Sequence, residues 1–393
     1  MIYRLSAAAG SFFDFDTMKK ILLAILFVMG LSAATAQTVD QQAEIDALNQ
    51  RIAKLEKRAE VWNKIKPALQ LSGYLQTGYD LLWDKDGTQT SSFHLRRARM
   101  TLQGDVFKGE KGAKASYRLQ VDLCKSPVIL DLWVKYQPFN QFGVQIGQFK
   151  VPVSIENTDY AATRLEFISY AQTVQAMSRN GGSDMTGINS SGRDIGVQVA
   201  GGFIKKDGFS LLNYEVGVFN GAGINVTDNN KSKDVAARFT VQPLKTFKIA
   251  AYYLQGEAVI TSLVNKYPGM AEGWDNLNYV AYNRYGGGFD FSNKYLFARA
   301  EVIAGDTGEF CSAGLYGQVG YKLRDIFSVG IRCDYFDPDV NSSALQQTAY
   351  SVALSYYPWK YIRLQAEYTL KQYAKASQKP VTNCVYFMAT ALF

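Results

Sequence analysis

The stretch 361–373, YIRLQAEYTLKQY, changes character at every step. Ile362, Leu364, Ala366, Tyr368 and Leu370 form one set, and Arg363, Gln365, Glu367, Thr369 and Lys371 the other. Successive side chains of a strand leave on opposite faces, so this segment is a strand with one apolar and one ionisable side. A soluble sandwich would bury the apolar side. An outer-membrane barrel would turn it to lipid and enclose solvent with the charges.

The alternation recurs almost to the last residue. It predicts sixteen strands, near 70–83, 91–106, 113–124, 128–138, 142–150, 193–204, 209–219, 233–242, 247–256, 279–291, 294–305, 312–322, 326–336, 347–357, 360–372 and 383–393. Their connections separate the two folds. One set is short: FKGEKG, QPFNQF, IKKDGF, QPLKTF, FSNKYL, KLRDIF and YPWKYI. The other is mostly longer and polar: 84–90, 151–192, 220–232, 257–278, 337–346 and 373–382. Short and long alternate along the chain, which a sandwich does not require and a membrane barrel does. Sixteen strands with both ends on the short-turn side need seven short turns, the number found. The fold class expected is therefore all-β, a 16-stranded antiparallel transmembrane β-barrel over 70–393 with a short N-terminal helical segment. The 25 Tyr, 23 Phe and 33 Gly against 9 Pro fit strands and tight turns. Phe142, Phe247, Tyr295, Phe327, Tyr357 and Trp359 lie beside the turns, where an interfacial aromatic girdle is expected. Val385, Phe387, Ala389, Ala391 and Phe393 share one face of the last strand, similar to the recognition signal of outer-membrane barrels.

From Met18 the chain reads MKKILLAILFVMGLSAATAQ: two lysines, an apolar run and small residues before Gln37. This is the pattern of a secretory signal peptide cut after Ala36. Residues 1–17 carry Asp14 and Asp16, unlike a signal peptide, and are read as lying upstream of the true start. No later apolar run reaches a helical membrane span, so a membrane form must be a closed barrel. Over 37–67 the period changes. Ile45, Leu48, Ile52, Leu55, Ala59 and Trp62 alternate steps of three and four, giving three heptads that end at Pro67. The segment 40–66 is either a helix packed on its own chain or a periplasmic coiled coil, and in the second case a candidate contact to peptidoglycan or another periplasmic partner.

The formal charge is +7, with no basic cluster of the kind that binds nucleic acid. His94 is the only histidine, and Cys124, Cys311, Cys333 and Cys384 are widely spaced. This composition points to no metal centre, no cofactor and no enzyme. Strand parity turns Arg97, Arg99, Arg118, Lys135, Arg238, Lys248, Arg299, Lys322, Arg332, Arg363 and Lys371 inward, against Asp122, Asp131, Glu301, Asp334 and Glu367. A net basic wall favours small anions over cations. The long insertion 151–192 has a partly helical pattern. Folded inward, the path adopted here, it narrows the pore and brings Arg164, Glu166 or Arg179 into it. Folded outward it is a lid or a subunit contact.

FHLRRARMTLQGDVF (93–107), YRLQVDL (117–123), LDLWVKYQP (130–138), VQIGQFKVPVSIE (144–156), SGRDIGVQVAGG (191–202) and AARFTVQP (236–243) occur in that order. Together they resemble the phosphate-selective porin O and P family of Gram-negative bacteria. The resemblance covers most of 70–393. It implies a homotrimeric outer-membrane porin with an inward-folded third loop and basic side chains that guide anions, phosphate or polyphosphate included. Arg97, Arg99, Arg118, Lys150 and Arg238 are its candidate anion-guiding residues. In EFISYAQ, Ser169 and Tyr170 stand where the family tends to carry a Glu-Arg pair, which weakens any phosphate specificity. The competing functions are a broad diffusion porin and a structural barrel tethering the envelope through 40–66.

Overall fold

The computed structural model describes residues 44, 46–57, 68–109, 113–124, 126–181, 184–228, 230–259, 279–342, 345–374 and 381–393. The signal peptide, the start at Met18 and the heptad positions Ile45, Ala59 and Trp62 lie outside them. Residues 46–57 form a helix with Leu48 and Leu55 exposed.

Sixteen strands follow among the described residues: β1 (Gln70–Asp84), β2 (Gly87–Lys108), β3 (Lys114–Asp122), β4 (Val128–Phe139), β5 (Phe142–Lys150), β6 (Arg193–Lys206), β7 (Phe209–Phe219), β8 (Asp234–Leu244), β9 (Phe247–Ala258), β10 (Val280–Ser292), β11 (Leu296–Thr307), β12 (Phe310–Leu323), β13 (Phe327–Asp337), β14 (Gln347–Trp359), β15 (Ile362–Tyr373) and β16 (Val381–Leu392). Each pairs antiparallel with its sequence neighbours, and β1 pairs with β16 to close a barrel. Beyond the last strand, Gly73 and Phe393 exchange two backbone hydrogen bonds of 2.9 and 3.0 Å. Closure leaves no sheet edge, which lipid would penalise by several kcal/mol per unpaired backbone group.

The alternation of 362–371 resolves in favour of an outward apolar face. Leu364 and Tyr368 are 43% and 41% exposed, whereas Arg363 and Glu367 are 5% and 4%. Two sequence expectations change. The connection expected at 84–90 is a two-residue turn: Asp84 pairs with Gly87, and its Oδ1 accepts the amide of Asp86 at 2.8 Å. Among the expected girdle aromatics, Tyr357 turns inward, 5.3 Å from the Arg363 guanidinium. Its neighbour Tyr356 takes the outward place and stacks on Phe327 at 4.7 Å. The tyrosine doublet hid which of the two faces out.

Three register shifts matter for the lumen. Gln76 pairs with Arg97 but Thr77 pairs with Leu95, leaving Arg96 bulged out of the ladder. Leu130 is skipped in the same way between β3 and β4, and Val106 between β2 and β3. A bulge re-aims side chains on its strand.

The connection 151–192 folds into the barrel. It carries two short helices, Ile155–Asp159 and Gln172–Met177. Ser154 caps the first, its Oγ accepting the Asn157 amide at 3.1 Å. Leu165, Val174, Met177 and Met185 are buried in one apolar cluster with the inward Phe149, Phe219, Tyr252, Tyr282 and Tyr316. Gly314 on β12 permits this approach, since a Cβ there would lie 2.6 Å from Thr173 Cγ2. Thr173 Oγ1 also donates to the Tyr335 carbonyl at 2.9 Å.

Candidate functional site

The inner wall treats the loop differently on its two sides. On β11, the Arg299 guanidinium is 1% exposed and meets three carboxylates: Asp290 at 3.0 Å, Glu156 at 3.1 Å and Glu166 at 3.2 Å. It also lies 3.5 Å from the Tyr160 ring centre. Arg332 pairs with Asp334 at 2.9 Å and donates to the Ser169 carbonyl. Arg363 donates to the carbonyls of Thr163 and Glu166. Carboxylates do the reciprocal work. Glu301 accepts from the Ser154 hydroxyl and the Ile155 amide, Asp334 from the Gln172 amide, and Glu367 from the Ile168 amide. Arg179 ties the far end of the loop to Asp234 at 2.8 Å and Asp194 at 3.5 Å. The loop is thereby latched along β10–β15, and Arg179 adds ties to Asp234 on β8 and Asp194 on β6.

On β8, Arg238 pairs with Asp159 at 2.7 Å and with Glu215 at 3.2 Å. Lys248 reaches the same Asp159 at 2.6 Å. Burial pushes the Asp159 carboxyl up, but the attraction of Arg238 and Lys248 outweighs it and holds the group well below the usual carboxylate range. Glu156 behaves oppositely: burial raises it above its ordinary value despite Arg299.

Open space lies on the other side, between the loop and β1–β6. A cavity of about 590 Å³ is lined there by Arg96, Arg97, Arg99, Arg118, Lys150, Arg164 and Arg193, together with Asp122, Asp131, Asp159 and Glu215. Arg99 pairs with Asp122 at 2.8 Å, while Arg118 and Arg193 share Asp131 at 3.0 and 2.6 Å. Lys150 donates to the carbonyls of Asn157 and Tyr160. Arg96, Arg97 and Arg164 have no carboxylate at ion-pair distance among the described residues. Arg96 donates to Ser169 Oγ at 2.8 Å and Arg97 to Gln76 Oε1 at 2.9 Å. Arg164 is exposed, 5.7 Å from the Tyr160 ring. A second cavity of about 380 Å³, lined by Lys135, Arg238, Lys248 and Glu215, lies beside the short turns. The two cavities share Asp159 and Glu215 in their linings, so they are neighbours.

The structure therefore divides the sequence candidates. Arg97, Arg99, Arg118, Lys150 and Arg164 meet in the outer cavity, and Lys135 and Arg238 in the inner one. Arg299, Arg332, Arg363, Glu166 and Arg179 line neither cavity and hold the loop instead. Parity counting missed the inward carboxylates Asp194, Glu215, Asp234 and Asp290, so the basic excess is local to the outer cavity rather than spread over the wall. It also missed Arg96, Trp133 and Arg193. The Arg-Arg doublet in mid-strand was a signal for Arg96, since two adjacent charges on an alternating strand imply a bulge. Trp133 shares parity with Asp131 and Lys135.

A family model described as phosphate-selective porin O and P matches residues 69–389. No curated protein matches the chain in sequence. Among solved structures, an anion-selective porin from Comamonas acidovorans aligns with a TM-score of 0.64 at 12% identity, over 83% of this chain and 99% of that one. OprB of Pseudomonas putida gives 0.59 at 9% identity, over 86% and 96%. In-vitro folded OmpT of Vibrio cholerae, in a trimer form, gives 0.57 at 11% identity, over 83% and 100%. At these identities the likeness is one of fold.

Proposed function

Because the chain belongs to the phosphate-selective porin O and P family, we propose that phosphate and polyphosphate are among the solutes its outer cavity passes. The protein is a porin of the Gram-negative outer membrane, a channel for passive diffusion of small anions. The observation that carries the phosphate reading is the set of guanidiniums without carboxylate partners, Arg96, Arg97 and Arg164, facing one solvent cavity. That cavity has seven basic and four acidic lining residues, a net charge of +3. Low-dielectric walls focus such a charge, raising local anion concentration and lowering the entry barrier. An anion then passes from Arg96 and Arg97 along Arg99, Arg118 and Lys150 to the inner cavity, where Lys135, Lys248 and Arg238 surround the exit. Arg299, Arg332, Arg363, Glu166 and Arg179 serve this path by holding the loop aside.

Reversal potentials across planar bilayers in a potassium chloride gradient test the selectivity, and inhibition of chloride current by added phosphate tests the solute. An anion preference with no phosphate competition would leave a broad diffusion porin. The ion pairs that neutralise Arg99 and Arg118 favour that second reading. The trimer form of OmpT supports a homotrimer here, which crosslinking in detergent tests. The 40–66 segment is assigned to a peptidoglycan or periplasmic contact, tested by co-sedimentation of the full mature chain, with and without 40–66, with purified peptidoglycan.

A further inference from the structure

A filter for inorganic anions needs positive charge and water. The outer cavity offers something else as well. Trp133 stands on the inner face of β4, with Arg118 as its cross-strand partner on β3 and Gly147 on β5. Gly147 has φ +129° and, as a glycine, places no side chain opposite Trp133. Trp133 is half-buried and packs on the cluster that contains Phe149 and Tyr170. All three line the same cavity as Arg97 and Arg164. The lining therefore combines aromatic rings with guanidiniums. At about 590 Å³ the space matches small-molecule sites, roughly 300–1,000 Å³, which mix apolar surface with a few polar anchors. An aromatic face is electron-rich and does nothing for a bare inorganic anion, but it stacks well on a planar ring.

We propose that the outer cavity prefers organic anions with a planar apolar body, such as aryl phosphates or aryl carboxylates, and that Trp133 is the specificity-determining residue. The anionic end meets Arg96 and Arg97, and the ring lies against Trp133. This rests on the anion-channel reading. An aromatic contact of this kind corresponds to about a three- to tenfold gain in affinity.

The test uses the full-length protein in planar bilayers, with phenyl phosphate and inorganic phosphate as probes. The concentration of each that halves the chloride current is measured for wild type, Trp133→Ala and Trp133→Phe. Wild type is expected to show block by phenyl phosphate at about three- to tenfold lower concentration than phosphate. The ratio should fall to about one in Trp133→Ala and recover in Trp133→Phe. Equal blocking concentrations in wild type, or an undiminished ratio in Trp133→Ala, would overturn the inference. If Trp133→Ala fails to fold by heat-modifiability on gels, Trp133→Leu replaces it, since it keeps apolar bulk without the ring. Loss of anion-over-cation selectivity in wild type would instead sink the underlying channel reading, and reversal potentials register that separately.

Discussion

Replacing Arg299 with alanine probes what keeps the lumen open on one side only. The guanidinium is 1% exposed and pairs with Glu156, Glu166 and Asp290 together. Removing one partner of a buried ion pair costs about 3–5 kcal/mol, chiefly because a charge is left uncompensated. Here three carboxylates share the lost cation, while Asp290 keeps Lys248 at 3.4 Å, so the same range applies. The strand ladder is untouched, and the cost therefore falls on loop docking. At 1.36 kcal/mol per tenfold, the undocked loop gains between about two and four powers of ten in population. Glu301, Asp334 and Glu367 still grip the loop through Ser154, Ile155, Gln172 and Ile168, so release is partial and transient. Single-channel recording should show excursions to larger conductance at least about a hundred times more often than in wild type. Arg299→Lys keeps one charge but cannot fork to three partners, and should lie between the two. Recordings of Arg299→Ala with the wild-type excursion rate, in a barrel that is still heat-modifiable, would refute the latch.

Three further outcomes follow from the same geometry. Converting Arg97 to glutamine removes a charge that no carboxylate offsets. It should lower the anion-to-cation permeability ratio about two- to fivefold, the equivalent of about 0.5–1 kcal/mol at a partly solvated site, as read from reversal potentials. Asp159 titrates below the usual carboxylate range. Its contribution to loop docking is therefore fully present above the ordinary carboxylate pKa and lost as pH falls through its depressed value. Current noise in wild type should stay flat from neutral pH down to the ordinary carboxylate range and rise below it, whereas Asp159→Asn should be noisy throughout; a wild-type rise near neutrality would contradict the assignment. Gly147→Ala puts a Cβ against the Leu132 carbonyl at a positive φ, and should cost on the order of 1–3 kcal/mol of barrel stability, seen as a lower unfolding temperature on heat-modifiability gels.

The sheet was legible because a period of two is local information. Arg363 and Leu364 declare their faces without knowing what lies beside them, and the alternation of turn lengths told a membrane barrel from a sandwich. What sequence could not supply was pairing across the lumen. Arg299 and Arg97 share a parity rule, yet one is spent on three carboxylates from β10 and the loop, and the other donates to the neutral Gln76 with no carboxylate at ion-pair distance among the described residues. That difference depends on where 151–192 settles, which is a matter of tertiary packing. Bulges were the second blind spot: skipping one residue in the β1–β2 ladder brought Arg96 beside Arg97 in the cavity. Ser169, which occupies a place where a charged residue was anticipated, takes hydrogen bonds from both Arg96 and Arg332. It thus joins the latched side to the open one.

The lopsided seating of the inserted loop divides the labour between two arcs of one cylinder. Residues on β10–β15 are bound by reciprocal contacts, so that a change in one demands a change in its partner. Those on β2–β5 mostly face the cavity or pair with one another, with Arg96 and Lys150 as their ties to the loop, so most can be exchanged with less effect on its seating. A lineage could retune what enters the cell by drifting along the second arc while the first stays frozen as scaffold.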